Sequence, residues 1–484
     1  MEEIAILENA SFREAMSRLD FAEVWVSPFF DHLFRFNEGA GDVFNGMIAD
    51  LADSSGYTEL NKVPVVPLGH SAAASWPYYF AAWKPERTLA ALSVSGQWPY
   101  FRNPVFAPDI WAKDQHIDFV PCLETMGEYE AAAGWAGEGL KQRRAHPFLP
   151  LSMLACPAEG HFAPSQEKID YIAFYIKKAV QYRMPGHKKG NLSLQPVNPM
   201  ATGWLVEKWR LNERSSFPAA SVQQFKGDTA QAFWFFDEEM ARYTERYEAK
   251  YYRMKSELLG YHQQGKIIQQ QNTHQQVDVK FIPAEDGISF SLEGVFLDSV
   301  PAVHARLSQW TGLPPGSPVG HGALEKGIRI EKITGPFRNQ GNNHFVLHPD
   351  KEIRSNNGTW ELFFAAKHNG DHEYKPAVQQ ARMVVPAVNT AGKEQHIVFP
   401  AVPDQKEGVS QVRLSATSDA GVPVSYTVVS GPAEVDGNKL RISKIPPGSK
   451  FPVKVTVVAW QYGKTAEPRL QSAKPVQLSF YITK

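Results

Sequence analysis

Val63-Pro64-Val65-Val66-Pro67-Leu68-Gly69-His70-Ser71-Ala72-Ala73-Ala74 is the stretch whose reading decides the fold. An apolar run of strand character ends at Gly69, and Ser71 follows two positions later. Small residues then open a segment of helical character. A strand that turns sharply into a helix raises one serine above the edge of an α/β sheet, which is where an exposed nucleophile is needed. Gly69 keeps the turn free of a side chain, and the small Ala73 lets helix and strand approach. The plain alternative is a buried turn in which Ser71 caps the helix.

Working outward, short strands are expected at 3–8, 21–26, 88–94, 119–126 and 149–156. Helices are expected at 11–19, 39–55, 72–83, 131–141 and 165–182. Strands and helices alternate, the pattern of a mostly parallel sheet covered on both faces. Pro185-Gly186-His187-Lys188-Lys189-Gly190 reads as a boundary. This sets a first unit at 1–185 and a linker with a helical segment at 186–276, including a long aromatic helix over 228–262, continuous or broken. From Val277 the apolar period changes to two, so 277–394 is expected to be a β-rich domain. Short runs at 395–399, 411–417, 423–429, 440–443, 452–460 and 475–482 predict an immunoglobulin-like β-sandwich over 395–484, without a Cys–Trp–Cys pattern.

At 484 residues the chain exceeds one ordinary domain, and its 43% apolar content supports real cores. The formal net charge of −1 provides no general attraction to nucleic acid or to anionic membrane. No apolar run is long enough to cross a membrane. The two cysteines, Cys122 and Cys156, each sit in an apolar run and read as buried free thiols, although neighbouring strands leave a disulfide open. No metal-ligand spacing is present.

Acyl transfer by a serine needs a histidine to take its proton, a carboxylate to orient that histidine, and backbone amides to meet the oxyanion. His161, in Gly160-His161-Phe162, follows the last strand of the alternating unit and is the base candidate. Met126-Gly127-Glu128-Tyr129-Glu130 ends the preceding strand and offers Glu128 and Glu130 as acids, with Glu124 inside the strand. No metal or organic cofactor is needed for this chemistry.

In these motifs, and in the chain order Ser71, Glu130, His161, residues 1–185 resemble the α/β-hydrolase superfamily. More specifically, they are similar to secreted bacterial multidomain serine esterases and hydrolases with a C-terminal immunoglobulin-like domain. The resemblance implies a three-layer α/β/α sheet. It selects Glu130, three residues after Gly127, as the acid. It also implies an oxyanion hole from the amide of Ala72 and from the segment around Asn9, because Ala5-Ile6-Leu7-Glu8-Asn9 resembles the strand that precedes that donor. A full core of this family has further strands before that one. Either the sheet is smaller, or a leading segment is absent that would have carried an export signal. The first case, with no signal-peptide pattern at the terminus, reads as cytoplasmic; the second, as secreted or periplasmic.

The irregular stretch 97–117 is expected to set substrate choice, with Trp98, Tyr100, Arg102 and Trp111 either as wall residues beside His70 or as the packing of a small cap. The chain has 12 tryptophans, 17 tyrosines and 29 phenylalanines. With the β-rich tail, this points to a carbohydrate-linked or small ester substrate as the expected partner. A peptidase, or an inactive glycan-binding scaffold, are the competing readings.

Overall fold

The computed structural model describes residues 2–26, 35–100, 111, 115–162, 164–186, 192–268, 276–302, 305–323, 327–349, 355 and 357–484. The architecture is multidomain: a helical N-terminal region is followed by a small parallel sheet and then by several β-sheets.

The parallel sheet is built from β1 (Leu68–His70), β2 (Ala91–Val94), β3 (Cys122–Gly127) and β4 (Leu151–Cys156), adjacent in chain order. Register runs Gly69 to Ser93, Ser93 to Glu124 and Glu124 to Met153. All residues of β2, β3 and β4 are buried, as parallel strands sandwiched between helices require. The connections run through α4 (Trp76–Trp83) and α5 (Ala132–Ala145), and α6 (Gln166–Arg183) follows β4. With no change of direction between neighbours, the carboxyl ends of all four strands share one edge. The loops after β1, β3 and β4 therefore meet.

Upstream, α1 (Glu2–Leu7), α2 (Ala10–Arg18) and α3 (Ala40–Ser55) precede the sheet. The strand expected at 3–8 is helix α1. Its short run Ile4-Ala5-Ile6-Leu7 fits either period, and only Ile6 of it is fully buried. Residues 21–26 form no strand either. Helix α3 ends as read from sequence, with Gly56 at a positive φ of 89° closing it.

In place of the long helix expected over 228–262 stand a 3-10 turn, a strand, one shorter helix and the start of a further strand. Strand β5 (Trp204–Glu207) pairs with both β6 (Ala220–Ser221) and β7 (Ala232–Phe235). Asp237 then caps α7 (Glu238–Glu248) by accepting from the Met240 amide. The aromatic run Phe233-Trp234-Phe235 is wholly buried, and the Ser152 hydroxyl donates to the Trp234 carbonyl at 2.5 Å. Leu205, Phe233, Met240 and Tyr247 belong to the same apolar core as β2–β4, so that core continues past residue 185.

Beyond it lie β8 (Leu259–Gln263), β9 (Lys266–Ile268), β10 (Gln276–Val279), β11 (Ser289–Ser291), β12 (Glu293–Phe296), α8 (Ala305–Thr311), β13 (Arg329–Thr334), β14 (Phe337–Gly341), β15 (His344–Leu347), β16 (Thr359–His368) and β17 (Ala377–Pro386). They make one sheet of order β10-β17-β16-β13 and two of order β11-β15-β14 and β12-β8-β9. Phe290, Phe337, Phe345 and Phe364 fill the core of this region. In the tail, one sheet pairs 425–430, 453–460, 476–483 and 405–406, and another pairs 411–413, 439–442 and 433–436. Val412, Leu440, Val455, Val457, Phe480 and Ile482 form the apolar core they share. Trp460, at the end of its strand, packs into the β8–β17 core instead.

Cys122 and Cys156 are free and fully buried. Cys122 pairs with Leu151, whereas Cys156 closes β4 opposite Gly127. Five residues of strand separate them along the sheet, about 16 Å, well beyond disulfide reach. Burial also pushes the Cys122 thiol well up. A thiol reagent should titrate neither cysteine in the native protein and both after denaturation without reductant. Absence of both after denaturation would show a bond that this sheet does not permit.

Candidate active site

Ser71 stands at the carboxyl end of β1 with φ of +54°, a left-handed conformation that a non-glycine residue adopts at a cost. A 3-10 turn, Ser71–Ala73, follows, and α4 begins three residues later. The turn is tight enough that a Cβ at position 69 would lie 2.1 Å from the Ala73 carbonyl oxygen. Gly69 is thus a steric requirement of the strand-to-helix turn. The next loop closes on the same feature, because a Cβ on Gly96 would meet the Ala74 methyl at 1.8 Å.

Glu130 follows β3 and His161 follows β4. Their loops pack so closely that a Cβ on Gly127 would stand 2.5 Å from the Glu159 carbonyl oxygen. The Tyr129 amide donates to that same oxygen at 2.9 Å. Three side chains then form one hydrogen-bonded chain. His161 Nε2 lies 2.8 Å from Ser71 Oγ, and His161 Nδ1 lies 2.6 Å from Glu130 Oε1. An ionised carboxylate only accepts, so Nδ1 carries the proton and Nε2 is left to receive the serine hydrogen. The imidazole is almost wholly buried, while Ser71 is half-buried at the rim. This is a Ser–His–Glu arrangement consistent with serine-hydrolase catalysis.

The three acidic candidates have separate partners. Glu130 alone among them meets His161. Glu128 accepts from the Ala158 amide at 2.9 Å and forms a buried ion pair with Lys375. Glu124 accepts from the Gly96 amide at 3.0 Å.

His70 does not present its ring to a pocket. It is buried, and its Nε2–H donates to the His161 carbonyl at 2.9 Å, tying the nucleophile strand to the histidine loop. Trp98 is 1% exposed, stacks on Phe233 and donates to the Trp135 carbonyl. It is a core residue rather than a wall residue, because the groove left by Gly139 takes its ring. Trp111 is likewise buried, between Tyr79 and Tyr100. Tyr100 lies over His146 with ring centroids 3.6 Å apart, and its hydroxyl accepts from the Ile117 amide. Arg102 lies outside the described residues.

Ala72 is exposed directly after the nucleophile. Asn9 is not at the end of a strand, since α1 replaces that strand. Its side chain caps α2, accepting from the amides of Ser11 and Phe12, and donates to Gln166. Sequence reading missed the jobs of His70 and Lys375. The partner of Lys375 is 247 positions away, and nothing local marks the pairing.

No family model matches the chain, and no curated protein matches it. Among solved structures, human protocadherin-24 EC1-2 (form II) is 12% identical, covering 36% of this chain and 89% of that one, with a TM-score of 0.16. Mouse cadherin-23 EC22-24 is also 12% identical, with coverages of 47% and 67% and a TM-score of 0.16. Protocadherin gamma B2 extracellular cadherin domains 3-6 is 11% identical, with coverages of 47% and 52% and a TM-score of 0.15. Likenesses this weak carry no argument about the chain.

Glu124 is fully buried, and burial raises its carboxyl well above the usual range, against the hydrogen bonds from Ser93 and Gly96. The folded chain therefore keeps a proton that the unfolded chain releases above about pH 4.3. Glu124 costs stability progressively as pH rises past that point, until its folded pKa is exceeded. Glu124→Gln, whose amide oxygen still accepts from Gly96, should raise the urea-unfolding free energy at pH 8 and leave it unchanged at pH 4.

Proposed function

We propose that this protein is a serine hydrolase that cleaves carboxylic esters through an acyl-enzyme, and that its first unit is an α/β-hydrolase-like domain. The hydrogen-bonded chain from Ser71 through His161 to Glu130 carries the reading. Its support is the order of the three residues on one sheet edge: nucleophile after the first strand, acid after the third, base after the fourth.

In this reading, His161 Nε2 removes the Ser71 proton as the oxygen attacks the ester carbonyl. Glu130 holds the ring in the Nδ1–H tautomer and stabilises the imidazolium that forms. The Ala72 amide, next to the nucleophile, meets the tetrahedral oxyanion. Collapse expels the alcohol, which takes the proton from His161. Water, deprotonated by the same nitrogen, then releases the acid. The second oxyanion donor is unassigned, because the Asn9 amide donates to the Ile6 carbonyl at 3.1 Å. Small esters are the first substrates to screen. Carbohydrate-linked esters come second, since two of the aromatic residues expected to face a glycan, Trp98 and Trp111, pack into the core.

Exposure to a fluorophosphonate probe followed by intact-mass analysis tests the site. One adduct is expected on the parent and none on Ser71→Ala; an unlabelled, folded parent would overturn the reading. Among the acids, Glu130→Gln should cut ester turnover by about 10³–10⁴-fold, since the neutral amide no longer stabilises the imidazolium and its NH2 can hold the ring in the wrong tautomer. Glu128→Gln should cost much less in the same assay. The reverse ranking would reassign the acid.

A further inference from the structure

Glu128 lies two residues before Glu130 and bridges three parts of the molecule. Its amide donates to the Cys156 carbonyl at the end of β4, at 2.9 Å. Its Oε2 accepts from the amide of Ala158, the residue at which the chain leaves β4 for the His161 loop. Ala158 has φ of +62°, so the loop starts from a strained residue that needs an external hold. The other oxygen of Glu128 is taken by the Lys375 ammonium, with both side chains under 5% exposed.

Lys375 comes from the β-rich region and is itself fixed. Its amide donates to the Lys255 carbonyl at 2.9 Å, just ahead of β17. Next to it, the Pro376 carbonyl accepts from the Tyr129 hydroxyl at 2.7 Å. A second contact reaches the base: Phe162, adjacent to His161, packs with Ile333, Phe363 and Ala365 of β13 and β16. Both loops of the site thus rest on the same sheet.

A buried ion pair is a poor source of net stability, because desolvating two charges consumes most of their attraction. Apolar side chains would glue the two regions as well. What the pair adds is direction: it fixes where Glu128, and through it the start of the histidine loop, must lie.

We propose that Lys375 is a positioning residue for the Ser71–His161–Glu130 site, so that the β-rich region is a working part of the active site. The inference rests on the hydrolase reading. Lys375 touches no reacting atom. It holds Glu128, Glu128 holds Ala158, and the spacing between Glu130 and His161 follows.

The test is the kinetics of fluorophosphonate labelling in the full chain, resolved into probe affinity and maximal rate. In Lys375→Met the maximal rate should fall between ~10- and ~100-fold, as expected for a misplaced reacting group, with affinity little changed. Lys375→Arg should recover most of the rate. The downfield proton resonance of the His161–Glu130 hydrogen bond should move in Lys375→Met and return in Lys375→Arg. If Lys375→Met fails to fold, Glu128→Gln/Lys375→Met takes its place, since it leaves no charge buried alone, and the same loss is expected. A parent-like rate in folded Lys375→Met, or in the folded Glu128→Gln/Lys375→Met double variant, would overturn the positioning role alone. An unlabelled parent would overturn the hydrolase reading and this role with it.

Discussion

Four parallel strands in chain order place their carboxyl ends along one edge, and the site exists only because the loops leaving that edge come within contact of each other. Gly69 and Gly127 set how close. At both positions a single added carbon would overlap a backbone carbonyl oxygen, at 2.1 and 2.5 Å. With those carbons absent, the serine turn closes and the acid loop lies against the histidine loop. The 2.6 and 2.8 Å contacts of His161 then follow from backbone placement more than from side-chain adjustment.

Buried and half-buried acids finish the job, each with its own task. Glu130 orients the imidazole. Glu128 joins the two loops and meets Lys375. Glu124, in β3, accepts from Gly96 and so anchors the chain that presses on Ala74 behind the nucleophile. Glu159 accepts from the Tyr247 hydroxyl at 2.8 Å and lies 3.9 Å from the buried Lys168 ammonium, fixing the far side of the histidine loop to α6 and α7. The surroundings of the triad are polar and highly specified, unlike the rest of the sheet, where alternatives of similar volume would pack.

Ser71 and His161 were legible because each follows a short apolar strand within two residues of a glycine, signals contained within a few residues, whereas Glu130 was singled out from its neighbours by the family resemblance. Helix α3 was legible too, since its apolar face repeats at helical spacing and Gly56 ends it. The first strand was not. Ile4-Ala5-Ile6-Leu7 is too short to distinguish a period of two from one of 3.6, and packing decided for helix. Phe233-Trp234-Phe235 misled in the opposite sense. Aromatics spread over a long segment looked like one helical face, but β5 offered a pairing edge and Asp237 a start point for a shorter helix. An irregular loop suggests a pocket wall for Trp98 and Trp111, but irregularity is a property of backbone and says nothing of where an indole is buried.

Local order in the chain therefore determined the alternating first unit, the β-rich remainder and the identities of Ser71 and His161, and narrowed the acid to the carboxylates in and after one strand. Those features depend on interactions between residues close in sequence: strand periodicity, a tight turn and the small residue it demands. Only the tertiary structure decided which acid reaches the imidazole, that the core runs on through α7, and that Lys375 closes against Glu128. These are contacts between segments far apart in the chain, set by how the sheets and helices pack, and no local pattern encodes the distance between them.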